Sequence, residues 1–465
     1  MVRVAEQIPQ EITLELVQSF EPAIPHLEEV ARKLTEFLTD EDLIWSFTGL
    51  GGFYQGQGLY ELAEPWYQRC KTLAETRLGN EHPNFAASLN NLAQLYKSLG
   101  RYSDAELLHQ QALEIVKRSL PEDHPSFATS LNNLAQVYHF QGRYSDAEPL
   151  YKQALAIKKR SLSEDHPSLA TSLNNLAQLY QSLGRYSDAE LLHQQALEIV
   201  KRSLPEDHPL LATNLNNLAQ LYYFQGRYSD AEPLYEQALE IVKRSLSEDH
   251  PSLATSLNNL AQLYYFQGRY SDTEPLYQQV IAINKRSLPQ DHPYLAGSLN
   301  NLANLYYSQG RYSEAEPLYQ QAIAINKRSL PQDHPDLAIH LNNLAQLYYS
   351  QGRYSEAEPL YQQVIAINKR SLSEDHPYLA TNLNNLAELY KSLRCYGKAE
   401  PLYLEALGIC DRSLGSEHPN TVTVLENFVG FLMQVISEGQ ESLLSENPFV
   451  QETLAMIKEE GELGM

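Results

Sequence analysis

Histidine, asparagine and tyrosine recur in this chain at spacings that invite chemistry. Nine His-Pro pairs run from His82 to His418, beside carboxylates such as Asp123 and Asp165, and imidazole with carboxylate is a metal-ligand set. Each histidine, however, stands alone in its own segment, a whole 42-residue interval from the next, so no segment assembles a coordination shell. His109 and His193 stand where other segments carry a tyrosine such as Tyr151, and read as core side chains with one nitrogen satisfied. A GxxxxGK[ST] phosphate loop is absent, the nearest trace being Tyr396-Gly397-Lys398-Ala399, as are a GxSxG elbow and an HExxH helix. A catalytic group inside a repeating chain would be copied with every repeat. No metal, no cofactor and no enzymatic activity are therefore expected.

Charge narrows the partners. Asp and Glu number 58 against 35 Lys and Arg, a formal net charge of -23, so nucleic acid and anionic membrane surfaces are repelled. The seven Lys-Arg pairs from Lys117 to Lys369 alternate with acidic loops and read as solvated helix ends matched to the backbone dipole. Cys70, Cys395 and Cys410 are too scattered for a disulfide framework and read as free thiols of a reducing compartment. The N-terminal stretch has no continuous apolar core, and no run of about 18 apolar residues occurs. A soluble, cytoplasmic protein without membrane insertion is the expectation.

The elements that position these residues follow from one period. The string LNNLA begins at Leu89, Leu131, Leu173, Leu215, Leu257, Leu299, Leu341 and Leu383, every 42 residues. A weaker copy, Phe47 to Tyr67, precedes it in register, and a decayed one follows near Leu425. The layout is a helical cap or stub over 1–39, nine units over 40–417, and a degenerate repeat with a capping helix over 418–465. Capping helices are predicted over Pro25 to Leu38, Val422 to Ile436 and Pro448 to Lys458.

Within a unit Leu89, Leu92, Ala93 and Tyr96 fall at i, i+3, i+4 and i+7, one apolar stripe of a helix A that ends near Gly100. Ser103-Asp104-Ala105-Glu106 predicts a capping box opening helix B, whose stripe is Ala105, Leu108, Ala112 and Val116. Pro125 predicts the first turn of the next helix A. One pair cannot bury its apolar face alone, so neighbours must stack and both ends need caps. Residues 102–125 and 186–209 are the same string while the unit between differs, which points to duplication in 84-residue pairs and suits an extended or repetitive partner.

Leu89, Leu92, Ala93, Tyr96, Gly100, Ala105, Ala112 and Leu113 resemble the tetratricopeptide family, and the 42-residue length, LNNLA core and Asp-His-Pro link are similar to the longer repeats of kinesin light chains and related bacterial proteins. The resemblance implies an all-α, right-handed α-solenoid of helix-turn-helix repeats whose concave side is lined by the stripe of Ala87, Asn91, Gln94 and Ser98. It further implies a ligand-binding role for the second asparagine of each LNNLA: Asn91, Asn133, Asn175, Asn217, Asn259, Asn301, Asn343 and Asn385. The first asparagine, Asn90 and its equivalents, is expected to bond between repeats. Gln94, Gln136, Gln178, Gln220 and Gln262 extend the amide ladder, since an amide offers donor and acceptor to a polypeptide backbone.

Most of the 31 tyrosines occupy repeated structural positions. Tyr223, Tyr265, Tyr307 and Tyr349, with Phe140, Phe224 and Phe266 one position on, do not, because Lys97-Ser98, Gln181-Ser182 and Lys391-Ser392 replace them elsewhere. They are the candidate anchors of a binding groove. The expected function is a non-catalytic scaffold or adaptor for a protein or peptide ligand. The sensor module of a separate P-loop ATPase is a second option, because Asp40 to Tyr67 looks like the entry into arrays that follow NB-ARC-type modules. A kinesin-light-chain-like cargo adaptor is a third, and self-association is a further partner option.

Overall fold

A computed structural model describes residues 2–8, 13–40 and 42–463. These residues form helices and turns with no strand among them, and no helix is long and apolar enough to cross a membrane. Short helices Val2–Glu6, Leu14–Phe20 and Ile24–Lys33 precede the repeats. The helix A and helix B pairs are Trp45–Gln55 with Tyr60–Leu78 (repeat 1), Pro83–Ser98 with Tyr102–Ser119 (2), Pro125–Phe140 with Tyr144–Ser161 (3), Pro167–Ser182 with Tyr186–Ser203 (4) and Pro209–Phe224 with Tyr228–Ser245 (5). They continue with Pro251–Phe266 and Tyr270–Ser287 (6), Pro293–Ser308 and Tyr312–Ser329 (7), Pro335–Ser350 and Tyr354–Ser371 (8), and Pro377–Ser392 and Tyr396–Leu414 (9). Helices Pro419–Ser437 and Pro448–Leu463 follow.

The chain divides into two compact units, residues 1–140 with 144–337, and residues 141–143 with 338–465. In the first, a continuous apolar core runs from Ala135 to Ile283 through both helices of successive repeats. The stripe read from spacing is its source: Leu89, Leu92, Ala93 and Tyr96 are all buried, as are Leu215, Leu218, Ala219 and Tyr222. Each fully buried leucine contributes about 1.5–3 kcal/mol. Alanines at the crossing points, such as Ala93, Ala105 and Ala112, are fully buried and let the paired helices approach. Ile24, Leu27 and Ala31 pack with Phe47 and Leu50 of repeat 1 in a separate apolar cluster that covers the first repeat. In the second unit Leu379, Leu383, Ile409 and Val424 build a core of the same kind.

Helix A ends as expected. Gly100 has φ 68°, the Arg101 N–H reaches the Tyr96 carbonyl at 2.8 Å and the Gly100 N–H reaches that of Lys97 at 3.1 Å, so the last carbonyls are satisfied by a left-handed cap. Its start holds a feature the spacing did not disclose. In all nine links the histidine Nδ1 accepts from the backbone N–H two residues on, at 3.0–3.2 Å, so the His-Pro histidines are N-caps.

The capping box expected for helix B does not form. The N-cap falls two residues earlier, on Arg101, which lends no side-chain bond, so the helix begins at Tyr102 with Ser103 already inside it. The glutamates at the Glu106 position are drawn away by arginines of the following repeat: Glu148 to Arg185 at 3.1 Å, Glu190 to Arg227 at 2.9 Å, Glu232 to Arg269 at 2.7 Å and Glu274 to Arg311 at 2.8 Å. The same arginines lie over the tyrosine rings that end helix A, as Arg227 does over Tyr222 at 4.0 Å.

Candidate functional site

In the first unit the helix A stripe of repeats 1 to 3 lines a cavity of about 630 Å³. Asn91, Gln94, Ser98 and Asn133 stand on its wall, with His292 and Tyr294 from the start of repeat 7. Repeat 1 contributes Gly49, Gly52 and Gly56 at the positions of Asn91, Gln94 and Ser98. There the helix Val2–Glu6 takes the space that side chains occupy elsewhere, because a Cβ on Gly49 would lie 2.7 Å from the Ala5 Cβ. Trp45, Tyr60, Tyr67 and Glu6 also line the cavity and were missed from sequence; the glycine substitutions were the signal that repeat 1 differs. Burial holds the Tyr60 and Tyr67 phenols far above their usual range, so both remain protonated.

All eight second asparagines are half-buried, but they fall into two groups. Asn91 donates to Thr48 Oγ1 at 3.2 Å, Asn301 to Asn258 Oδ1 at 2.8 Å and, in the second unit, Asn385 to Asn342 Oδ1 at 3.0 Å. Their donors are thus used in a ladder to the preceding repeat, and Asn343 is engaged as well. The first asparagines bond between repeats as expected, Asn132 to Ser172 at 3.0 Å and Asn174 to Asn214 at 2.8 Å. Asn174 also meets His193 at 2.8 Å, and Asn90 meets His109 at the same distance, satisfying one nitrogen of each buried histidine.

Asn133, Asn175, Asn217 and Asn259, in repeats 3 to 6, form no side-chain hydrogen bond among the described residues. The carbonyls Asn132 Oδ1 and Asn216 Oδ1, which a continued ladder would serve, are buried and unpartnered. These four amides are held off the ladder. Of the glutamines, Gln94 is exposed and Gln136, Gln178, Gln220 and Gln262 are half-buried, with Gln136 Oε1 accepting from Lys97 Nζ at 2.6 Å.

The surplus aromatics belong to a second ladder between repeats. The residue at the Lys97 position of one repeat meets the residue at the Ser98 position of the next. Where the latter is serine the contact is polar: Gln55 to Ser98 at 3.4 Å, His139 to Ser182 at 2.9 Å, Tyr265 to Ser308 at 2.5 Å and, in the second unit, Tyr349 to Ser392 at 2.9 Å. For two of the three phenylalanines a cation or an aromatic edge of the preceding repeat faces the ring: Lys97 lies 5.6 Å from Phe140 and Tyr223 lies 5.1 Å from Phe266, while Phe224 meets Tyr223 of its own repeat at 5.1 Å. Burial pushes the Lys97 ammonium down to about 8. Tyr307 stands 5.7 Å from Tyr312. The phenylalanines do not fill their sites: Phe140, Phe224 and Phe266 remain 47%, 51% and 53% exposed, while the four tyrosines are half-buried.

A family profile described as Tetratricopeptide repeat matches residues 42–118, 126–202, 190–244, 210–286, 294–370, 336–400 and 378–428. A second profile of the same description matches 90–161. No curated protein sequence matches the chain. Among solved structures it is similar to a Podosopora anserina protein of nearly identical TPR-like repeats described as a kinesin light chain, at 32% identity over 44% of this chain and 98% of that one, TM-score 0.38. BtubC (BKLC) from P. vanneervenii is 26% identical over 49% and 91%, TM-score 0.41. A Rap protein complexed with competence and sporulation factor shares the fold at 16% identity over 80% and 99%, TM-score 0.53. With most of its length matched by the profile and its helices paired in tandem, the chain belongs to the tetratricopeptide repeat family.

Proposed function

We propose that the chain is a non-catalytic scaffold that binds an extended polypeptide along the helix A face of repeats 3 to 6 in its first unit. One observation carries this reading: of the four repeats whose second asparagine is unbonded, three hold a half-exposed phenylalanine, Phe140, Phe224 or Phe266, and repeat 4 between them carries Ser182 at that position. Asn217, Gln220 and Phe224 fall at i, i+3 and i+7, as do Asn259, Gln262 and Phe266, so amide and ring share one face of each helix.

Magnitudes assign the roles. A net hydrogen bond contributes about 0.5–1.5 kcal/mol, whereas ordering a disordered ligand costs about 2–5 kcal/mol. Micromolar affinity needs about 8 kcal/mol net, so the amides set register and the rings supply most of the affinity. The narrower roles, a sensor for a separate P-loop ATPase or a cargo adaptor, use the same face and differ in what it captures.

A pull-down comparing the wild type with the combined variant Phe224→Ser, Phe266→Ser, Asn217→Ala and Asn259→Ala tests the site. Each ring is expected to account for about 2 kcal/mol of binding, so partner recovery falls to background. Serine already occupies this ladder position at Ser182 and Ser308, and the variant is expected to keep its helical content. Unchanged recovery by a folded variant removes the proposal.

A further inference from the structure

Within the first unit, two turns between helix A and helix B are covered by links from much farther along the chain. A Cβ on Gly58, in the turn of repeat 1, would lie 3.0 Å from Pro293 Cδ and 3.2 Å from His292 Cδ2. One on Gly100, in the turn of repeat 2, would lie 2.6 Å from Pro335 Cδ and 3.3 Å from His334 Cδ2. The proline ring thus seats on the bare glycine. The His334 Nε2–H donates to the Ser98 carbonyl at 3.1 Å while its Nδ1 accepts from the Asp336 N–H at 3.0 Å. Both bonds require the same neutral tautomer, so the imidazole that caps helix A also ties the link to the turn. Gly58, Gly100, His292 and His334 are all buried in consequence.

The same two half-sites recur without their counterparts. Gly226, Gly268 and Gly310, in the turns of repeats 5, 6 and 7, are exposed, and a Cβ on any of them would meet nothing within 4 Å. The links at His82, His124, His166 and His208 cap their helices through Nδ1, yet each imidazole is only half-buried, its Nε2 bonds no group among the described residues, and the proline that follows is exposed or half-buried, whereas Pro251 of the next link is already buried. The chain therefore carries one edge of turns lacking links and another of links lacking turns, built from the residue types that already bind one another inside the unit.

We propose that a second copy of this chain fills both edges: consecutive His-Pro links of one copy seat on the turns at Gly226, Gly268 and Gly310 of another. The Nε2–H of each link histidine donates to the carbonyl of Phe224, Phe266 or Ser308, the counterparts of Ser98, and the proline ring covers the glycine. The two edges differ, so the contact is heterologous and propagates from copy to copy. Within one chain the contact benefits from a high effective concentration; between chains several pairs must form together, and three consecutive turns are on offer. The net charge of -23 on each copy opposes association, so added salt strengthens it.

Analytical ultracentrifugation of the full chain tests this. The wild type is expected to show a weight-average mass that rises beyond the dimer with concentration, more steeply at higher salt. A turn variant, Gly226→Asn with Gly268→Asn and Gly310→Asn, places a side chain where the proline would land. Arg394 already stands at the equivalent position with φ 57°, so the backbone accepts a side chain there. A link variant, with histidine to asparagine at positions 82, 124, 166 and 208, keeps a side-chain cap and removes the Nε2–H. Each variant alone is expected to associate at least tenfold more weakly than the wild type. An equimolar mixture, in which each partner retains one intact edge, forms a dimer and nothing larger. A wild type that stays monomeric to millimolar concentration, or variants that each assemble as it does, would overturn the proposal.

Discussion

The histidines show how much one side chain's surroundings decide. The link histidines act by hydrogen bonding, with Nδ1 as an acceptor that only the neutral ring provides. His109 and His193 are sealed in helix B, where burial pushes both down to about 4, and His292 is pushed down to about 4 by burial in its link. In the unfolded chain these rings titrate near 6.5. The fold therefore favours the neutral form, and its stability is full above about pH 6.5 and falls as pH drops toward 4, because the unfolded state takes up protons first. A tenfold difference in proton affinity between the two states corresponds to about 1.4 kcal/mol, so the loss is about 2–3 kcal/mol per histidine. Urea midpoints at pH 7 and pH 4.5 are expected to show it. Burial also pushes His139 down to about 4 and lowers His334, so in His109→Tyr with His193→Tyr, which installs the residue that Tyr151 and Tyr235 supply in other repeats, the difference is expected to shrink by somewhat less than half; an unaltered difference places the acid sensitivity elsewhere.

At the scale of the helix pair, the turn is the economical part of the design and repeat 9 breaks its rule. The glycine of the other turns is replaced by Arg394 at φ 57°, a left-handed conformation that costs a side-chain-bearing residue about 1–2 kcal/mol. The compensation is small: Arg394 is 73% exposed and reaches Glu438 at 3.5 Å, and exposed pairs contribute about 0–1 kcal/mol. Arg394→Gly is expected to stabilise the second unit by about 1 kcal/mol, read as a higher denaturant midpoint with unchanged slope. A lower midpoint would show that the arginine side chain outweighs the backbone strain. Between pairs, the Lys97-to-Ser98 ladder explains why the residue at its second position can alternate between serine and phenylalanine. The polar contact Tyr265 to Ser308 and the ring contact Tyr223 to Phe266 join repeats in the same way, while only the phenylalanine leaves apolar area for a ligand.

For the whole molecule, stability is a sum over repeats and their interfaces, which makes length adjustable. Deleting residues 167–208 removes one period and rejoins His166 to Pro209, recreating a His-Pro link. The shortened chain is expected to remain helical and to melt cooperatively. The turn at Gly58 then receives His334 and Pro335 in place of His292 and Pro293, and these are the same residue types. Loss of cooperative melting, followed by circular dichroism, would show that the repeats are not interchangeable.

The amino-acid sequence by itself determined the period, the helix pairs, their buried stripes and the ends of helix A, because these follow from residues within a turn or two of one another: Leu89 with Leu92 and Tyr96, the φ of Gly100, the ring of Pro125. The capping box failed because the helix begins at Tyr102 and leaves its serine inside the first turn, while the glutamate pairs one repeat away, as Glu148 does with Arg185. The asparagines were legible as two classes by helical face, but which amides stay unbonded was not, since Asn91 and Asn133 sit in the same LNNLA string and differ only in what the preceding repeat presents. His124 and His334 make the case most sharply. Both lie in Asp-His-Pro, both cap a helix through Nδ1, and one is half exposed while the other is buried against Ser98. A repeated string carries no record of its place in the array; contacts between residues more than two hundred positions apart assign it, and only the tertiary structure contains them.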